Sequence, residues 1–327
     1  MKKNYFILFL LIFTLILTFI VSLIFGGTKI SFTELLSGLS SVPGINHTII
    51  WKIRIPRILL SMLVGAGLAA SGSVLQGILR NPLAEPYTLG ISGGAAFGAT
   101  IAVVLGISSL SLPVCAFLGA LLSLLFVYLI ASKKNFSVST LILGGVILSF
   151  LFSAIILLIF AVSKTEKIQS TLLWLMGDLS NAETGLTTIV AGFTVAGIAI
   201  LLLFSREIDI LTLGEEKASY LGVDSANTIR TIFIIASFIT GACVSASGII
   251  GFVGLIIPHF IRKWSGPKHF TLIIFSSLAG AIFLCIADTF ARSIIYPVEL
   301  PVGVITGIFG GVFFIIFLLR SKNWEVF

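Results

Sequence analysis

The sequence has few charged residues and little cysteine. Only 10% of its 327 residues are charged, 57% are hydrophobic and the mean hydropathy is +1.18. A soluble domain, in which about a quarter of the residues are charged, is thereby excluded. The three cysteines, Cys115, Cys243 and Cys285, lie inside apolar runs. Their number and spacing predict neither a disulfide framework nor a metal site, so we interpret them as small core residues of a membrane protein.

The sequence also lacks motifs for an energy source of its own. No G-x-x-x-x-G-K-[ST] phosphate-binding pattern occurs, so any nucleotide hydrolysis must take place on another chain, and we predict no enzymatic activity here. Glu85, Glu183 and Asp288 fall in loops or at the ends of apolar runs. An ion-coupled secondary transporter, which usually carries acids inside the membrane, is therefore the alternative rather than the first choice. A channel is a more distant third reading, because no selectivity-filter loop is repeated.

Ten apolar runs follow one another along the chain. They lie near residues 6–26, 56–79, 88–106, 113–131, 139–162, 186–204, 229–247, 249–261, 270–290 and 301–319. Most approach the roughly 20 residues needed to cross a bilayer, although the eighth is short. The first run is long for a signal peptide and lacks a small-x-small cleavage site, so we expect it to be retained. The pattern predicts an all-α polytopic bundle of about ten transmembrane helices, with residues 1–327 forming a single transmembrane domain.

Lysine and arginine are concentrated in alternate loops, which predicts that both termini are cytoplasmic. This distribution also explains the net charge of +7, so nucleic-acid binding is not needed to explain it. The basic residues assigned to the cytoplasmic side are Lys2, Lys3, Arg80, Lys133, Lys134, Arg206, Lys217, Arg230, Arg262, Lys263, Lys268, Arg320 and Lys322.

Small residues recur at every fourth position in the second run (Ala69, Ser73 and Gly77) and in two later runs, which places the small residues of each run on one helix face. Such a face allows close packing of helices, or it forms a weakly polar lining of a solute pathway or of a seam between subunits. The positions are Gly145, Ser149 and Ser153 in the fifth run and Gly303, Gly307 and Gly311 in the tenth.

Several motifs occur in an order that identifies a family. They are residues 66–95 (AGLAASGSVLQGILRNPLAEPYTLGISGGA), 54–57 (RIPR), 174–177 (WLMG), 213–223 (LGEEKASYLGV), 251–259 (GFVGLIIPH) and 299–303 (ELPVG). Together they closely resemble the permease subunits of the FecCD and vitamin B12 type, which import iron-siderophores, haem or cobalamin as parts of ABC transporters. The resemblance covers essentially the whole chain. Which of these chelates is carried stays open.

The resemblance implies an assembly in a bacterial or archaeal inner membrane. This chain would pair with a second copy or a paralogue around a central pathway, bound to two ATPase subunits and an extracytoplasmic solute-binding protein. ATP would be the cofactor of the ATPase partner, and no cofactor is expected on this chain. We also predict a cytoplasmic gate at Asn81, Leu83 and Ser139.

Two arginines stand where the predicted topology disfavours positive charge. Arg54 and Arg57 flank Pro56 at the outer face, near a helix N-terminus, where a cation opposes the helix dipole at a cost of about 0.3–1 kcal/mol. We therefore expect a further group to retain them, and the resemblance implies that acidic residues of the binding protein do so. It implies the same role for Arg292, although Asp288, one turn earlier, offers an i,i+4 ion pair instead.

The longest charged cytoplasmic stretch lies between residues 206 and 230. Gly222 is typical of a helix C-cap and Asp224 of an N-cap, so a short surface helix is predicted, with a solvated loop as the alternative. The resemblance implies that this helix contacts the ATPase. The residues assigned to that contact are Gly214, Glu215, Glu216, Ala218, Leu221, Gly222 and Val223.

Overall fold

The computed structural model describes residues 2–26, 44–107, 111–295 and 297–320. Lys322, one of the basic residues assigned to the cytoplasm, lies outside these ranges, and the side chains of Lys2 and Arg320 are likewise outside the description. All regular secondary structure in the described ranges is helical. The prediction of an all-α fold is therefore confirmed for this part of the chain.

The helices follow the apolar runs closely. They are α1 (Lys2–Ile24), α2 (Ile45–Ile78), α3 (Ile91–Leu105), α4 (Leu112–Ser132), α5 (Val138–Ala161), α6 (Thr165–Leu175), α7 (Thr184–Leu203), α8 (Ser205–Leu211), α9 (Glu215–Tyr220), α10 (Ser225–Ser247), α11 (Val253–Ser265), α12 (His269–Ala291) and α13 (Val302–Arg320). A π-helical stretch, Ile49–Arg54, lies within α2, and a 3-10 turn, Pro86–Leu89, precedes α3.

Seven of these helices are long and apolar enough to cross a membrane, namely α1, α2, α4, α5, α7, α10 and α12. Two shorter apolar helices, Ile91–Leu105 and Val302–Ile316, accompany them. Helix α11 has 13 residues and is roughly 20 Å long, against a hydrocarbon core of about 30 Å. The expected shortness of the eighth run is confirmed.

Helix α2 lies at the centre of the bundle and packs against α7, α10, α11 and α12. Small residues make its contact with α12 possible, because a Cβ atom at Gly65 would lie 2.2 Å from the carbonyl oxygen of Gly280. The two backbones therefore touch, as in small-residue interfaces of membrane helices. Most of α2 is buried as a result, including its polar residues Ser71, Ser73 and Gln76.

The helical structure is interrupted between α10 and α11. Residues 248–252 are not helical, and Phe252 takes a left-handed conformation with φ of 70° immediately before α11. Tyr87, from the turn before α3, supports this break because its Oη donates to the carbonyl of Ile250 (2.6 Å) and accepts from the amide of the same residue (3.0 Å). Both backbone groups of Ile250 are thereby satisfied, as non-helical backbone inside a membrane protein requires.

Candidate functional site

An ion-pair network lies where α2 meets the end of α12. Arg57 donates from Nε and Nη2 to Oδ1 of Asp288, at 3.1 and 2.9 Å, and from Nη1 to Oε2 of Glu299 at 2.7 Å. Arg57 is 7% exposed and Asp288 1% exposed, whereas the Glu299 side chain is 42% exposed. One carboxylate therefore holds Arg57 from the protein interior and the other from the surface.

Arg292 belongs to the same network. Its Nε lies 3.4 Å from Oδ2 of Asp288, so the i,i+4 pair expected from the sequence is confirmed. Its Nη2 donates to the carbonyl of Ser22 in α1 at 2.9 Å, and Arg292 is buried. Burial lowers the pKa of Arg292, and the Asp288 carboxylate opposes that effect. Arg54 is also buried and donates to the carbonyls of Leu23 and Ile24.

These contacts correct one step of the sequence argument. We expected Arg54 and Arg57 to need a group from outside the chain, but each is buried and has acceptors within it. The sequence hid this because Arg57 is separated from Asp288 by 231 positions and from Glu299 by 242. Docking of a partner at the arginine cluster, defined as Arg54, Arg57 and Arg292, stays a prediction.

A polar cavity of about 180 Å³ adjoins the network, and we refer to it as the outer cavity. Arg57, Asp288 and Glu299 line it, together with the turn after α6 (residues 177–180) and the start of α13 (residues 300–302). A hydrogen bond from the Val302 amide to the Gly177 carbonyl, 3.1 Å long, joins these two segments. The motif at residues 174–177 thus forms the end of α6 and the wall of the outer cavity.

The predicted surface helix is present as α9, and its punctuation is confirmed. Gly222 follows α9 with φ of 81°, a conformation that favours glycine. Asp224 caps α10 by accepting the amide of Asn227 at 3.0 Å, and this backbone hydrogen bond lowers the pKa of Asp224. Arg80, after α2, forms an exposed ion pair of 3.4 Å with Glu215 in α9.

The residues assigned to ATPase contact differ in exposure. Ala218 is buried and Gly214 and Val223 are half-buried, whereas Glu216, Leu221 and Gly222 are exposed, as is Glu215. Tyr220, which is 83% exposed at the end of α9, and Leu213, which is 55% exposed before it, were not predicted as contact residues. Large apolar side chains on a charged segment that is predicted to be cytoplasmic were the available signal for both.

The predicted gate residues lie in two places. Oδ1 of Asn81 accepts the amide of Leu83 at 2.9 Å in the turn after α2, and Leu83 is 42% exposed. Ser139 is exposed in the first turn of α5.

Glu85 follows the turn after α2 and accepts a hydrogen bond from the amide of Phe252, and burial raises the pKa of Glu85 to about 7. The sequence analysis placed Glu85 in a loop and missed that it meets the start of α11.

The small-residue faces of the fifth and tenth runs serve partly as packing surfaces. A Cβ atom at Gly145 would lie 2.5 Å from Cα of Leu89, and one at Gly303 would lie 2.4 Å from the carbonyl oxygens of Ile249 and Met176. For these two positions the packing interpretation explains the glycine, because a backbone atom occupies the space of a side chain.

The other four positions of those faces are more open. Ser149 is half-buried and Ser153 is exposed on α5. No heavy atom of the described ranges lies within 4 Å of a Cβ placed at Gly307, and at Gly311 the first neighbour is the Phe252 ring at 3.9 Å. These four positions have room for a pathway or a second subunit, and that role stays a prediction.

Comparisons with known proteins agree with the resemblance seen in the sequence. The model of the FecCD transport family matches residues 14–320. The cobalamin import system permease protein BtuC of Halobacterium salinarum is 42% identical over 284 residues, covering 86% of this chain and 76% of that protein. The hemin transport system permease protein HmuU of Yersinia pestis is 36% identical over 285 residues, covering 84% of each chain.

A solved structure, described as an inward-facing conformation of a metal-chelate type ABC transporter, has a similar fold. Its TM-score is 0.88 at 35% identity, over 96% of this chain and 99% of that one.

Proposed function

The chain belongs to the FecCD transport family, and on that premise we propose that it forms the translocation pathway for a metal chelate as one half of a binding-protein-dependent ABC importer. Its role as an ABC importer permease follows from relatives that match 86% and 84% of its length and are named as permeases of import or transport systems. The single observation that carries the proposal is the match of residues 14–320 to the family. The TM-score of 0.88 to a metal-chelate type transporter agrees with it.

We propose that ten segments cross the membrane and that both termini are cytoplasmic. Each of the ten apolar runs coincides with a helix, and the positive-inside distribution of lysine and arginine supports this orientation. The short helices α3 and α11 would complete their crossings with the non-helical segments beside them. Residues 1–327 would then form one domain in the inner membrane of a bacterium or archaeon.

The cytoplasmic helix α9 is the proposed contact with the ATPase. Leu213, Tyr220 and Leu221 expose large apolar side chains on a segment that carries several charges, and such side chains favour burial against a partner. ATP hydrolysis would take place on two separate subunits, because the sequence holds no phosphate-binding loop.

The proposed pathway runs between this chain and a second permease copy or a paralogue. Ser149, Ser153, Gly307 and Gly311 would face the seam, because the described structure leaves space around them. Asn81, Leu83 and Ser139 would form the cytoplasmic gate, and a solute-binding protein would dock on the outer face at the arginine cluster.

The substrate class that we propose is an iron-siderophore, haem or a cobalamin-like chelate. Two relatives carry cobalamin and hemin in their names, and the similar structure is of metal-chelate type.

Reconstitution tests this proposal. The chain is incorporated into vesicles with its ATPase and binding protein, and ATP-dependent uptake of ferric siderophore, haem and cobalamin is measured separately. An ATPase subunit without the P-loop lysine is the matched control and is expected to abolish uptake. Uptake that continues without any ATPase and collapses with a proton or sodium ionophore would instead establish the ion-coupled alternative.

A further inference from the structure

Two carboxylates of very different exposure hold Arg57. Asp288 is 1% exposed and receives both Nε and Nη2 of the guanidinium. The Glu299 side chain is 42% exposed and receives only Nη1, at 2.7 Å. The buried carboxylate of Asp288 therefore positions Arg57, whereas the exposed carboxylate of Glu299 occupies Nη1.

The outer cavity provides space beside this nitrogen. Its volume of about 180 Å³ is several times the roughly 30 Å³ that one water occupies, so a carboxylate side chain fits. Asp178 also lines the cavity, but its oxygens already accept from Ser180 and Asn181. Among the described residues, Glu299 is thus the lining acid whose side chain bonds to Arg57 alone, an arginine that it shares with the buried Asp288.

A second carboxylate cannot simply be added at Nη1. An acid arriving while Glu299 is in place would set two like charges against one nitrogen of the buried Arg57 guanidinium, and like charges at this distance repel each other. Departure of Glu299 without a replacement would leave Arg57 with Asp288 alone. An exchange avoids both costs because the number of carboxylates on Arg57 stays constant.

We propose that Glu299 occupies the position on Arg57 that a carboxylate of the docking partner takes, so that docking exchanges one ion pair for another. This inference rests on the proposed docking of a solute-binding protein at the arginine cluster. Before docking, Glu299 keeps Arg57 paired and in place. On docking, Glu299 turns into water and the partner's carboxylate enters the outer cavity.

The backbone around Glu299 allows this exchange without refolding. The amide of Leu300 donates to the Ala291 carbonyl and that of Val302 to the Gly177 carbonyl, each at 3.1 Å. These bonds hold the segment while the exposed side chain rotates. Since one ion pair replaces another, the net gain is small, which suits a partner that must leave after it delivers its cargo.

The test compares Glu299→Gln with Glu183→Gln, in nanodiscs that contain the permease with its ATPase. Glu183 is exposed at the outer start of α7, one turn before Thr187, whose hydroxyl contacts the Pro56 carbonyl. Both variants remove one negative charge from the same face, but only Glu299 touches Arg57. Binding of the solute-binding protein that supports uptake by this permease is measured by biolayer interferometry at several salt concentrations.

Glu299→Gln is expected to raise the association rate about tenfold at low salt and to steepen its salt dependence, because the competing charge is gone. Glu183→Gln is expected to change the rate by less than about twofold, since long-range steering alone is altered at this exposed site. Glu299→Ala, which removes the acceptor entirely, should act in the same direction as Glu299→Gln. Unchanged or weaker docking of both Glu299 variants, or an equal rise with Glu183→Gln, would overturn the exchange.

Arg57→Lys separates this inference from the docking on which it rests. Lysine keeps the charge but cannot hold Asp288 and a second carboxylate with a planar fork, so weaker docking is expected. Docking that is insensitive to Arg57→Lys would refute the docking proposal itself. If Arg57→Lys weakens docking but Glu299→Gln does not change it, the docking proposal stands and only the exchange is refuted.

Discussion

Replacement of Arg57 by methionine should destabilise the protein strongly. Asp288 is 1% exposed and would lose the Nε and Nη2 donors of Arg57, which bind it at 3.1 and 2.9 Å. Removal of one partner from a buried ion pair costs about 3–5 kcal/mol. Arg292 remains 3.4 Å from Asp288, so we expect the lower end of this range. At roughly 2 °C per kcal/mol for a chain of this size, the unfolding midpoint should fall by about 6 °C.

The assay is thermal unfolding of the purified chain in detergent, followed by intrinsic fluorescence. Arg80→Met is the matched control, because Arg80 forms an exposed pair with Glu215 at 3.4 Å, and such pairs contribute at most about 1 kcal/mol. An Arg57→Met midpoint equal to the wild type would refute the reasoning.

Three further predictions concern other parts of the molecule. Gly280→Ala should lower the unfolding midpoint by the equivalent of about 1–3 kcal/mol, because its Cβ would lie 2.3 Å from a carbonyl oxygen of α2; Gly185→Ala, with no described atom within 4 Å, should be neutral. Glu85 has a pKa raised from 4.5 to about 7, so the folded state binds its proton more tightly than the unfolded one and loses stability as pH rises from 4.5 to 7. In a pH series, the unfolding midpoint of Glu85→Gln should therefore rise relative to that of the wild type between pH 4.5 and 7. Midpoints that change with pH in parallel for the two proteins would contradict this. Alanine at Tyr220 and Leu221 should reduce ATP-driven uptake in vesicles without changing the unfolding midpoint, because both side chains are exposed; unchanged uptake would remove α9 from the ATPase contact.

Helix positions could be predicted because the bilayer imposes a length and an apolar composition on every crossing segment. The short helix α9 could be predicted from local signals alone, since Gly222 and Asp224 act within a few residues of themselves. Likewise, the i,i+4 pair of Asp288 and Arg292 follows from helix geometry. Each of these features depends on residues that are neighbours in the sequence, so a single sequence contains enough information to predict it.

The partners of Arg57 could not be predicted in this way. Its position in the sequence predicts that the Arg57 charge interacts unfavourably with the dipole at the start of a helix. It does not predict that Asp288 and Glu299, from the far end of the chain, lie beside Arg57. The glycines show the same limit. Gly145 and Gly307 look alike in a four-residue repeat, yet the first touches the backbone of Leu89 and the second has free space beside it in the described structure.

The sequence by itself determined the membrane class, the helical segments and the family, because composition and local motifs carry that information. Only the tertiary structure decided which charges are paired and which small residues are packed. Ion pairs and backbone contacts act over a few ångströms in space. Packing of α2 against α12, with Glu299 in the segment that precedes α13, brings residues more than two hundred positions apart within that range.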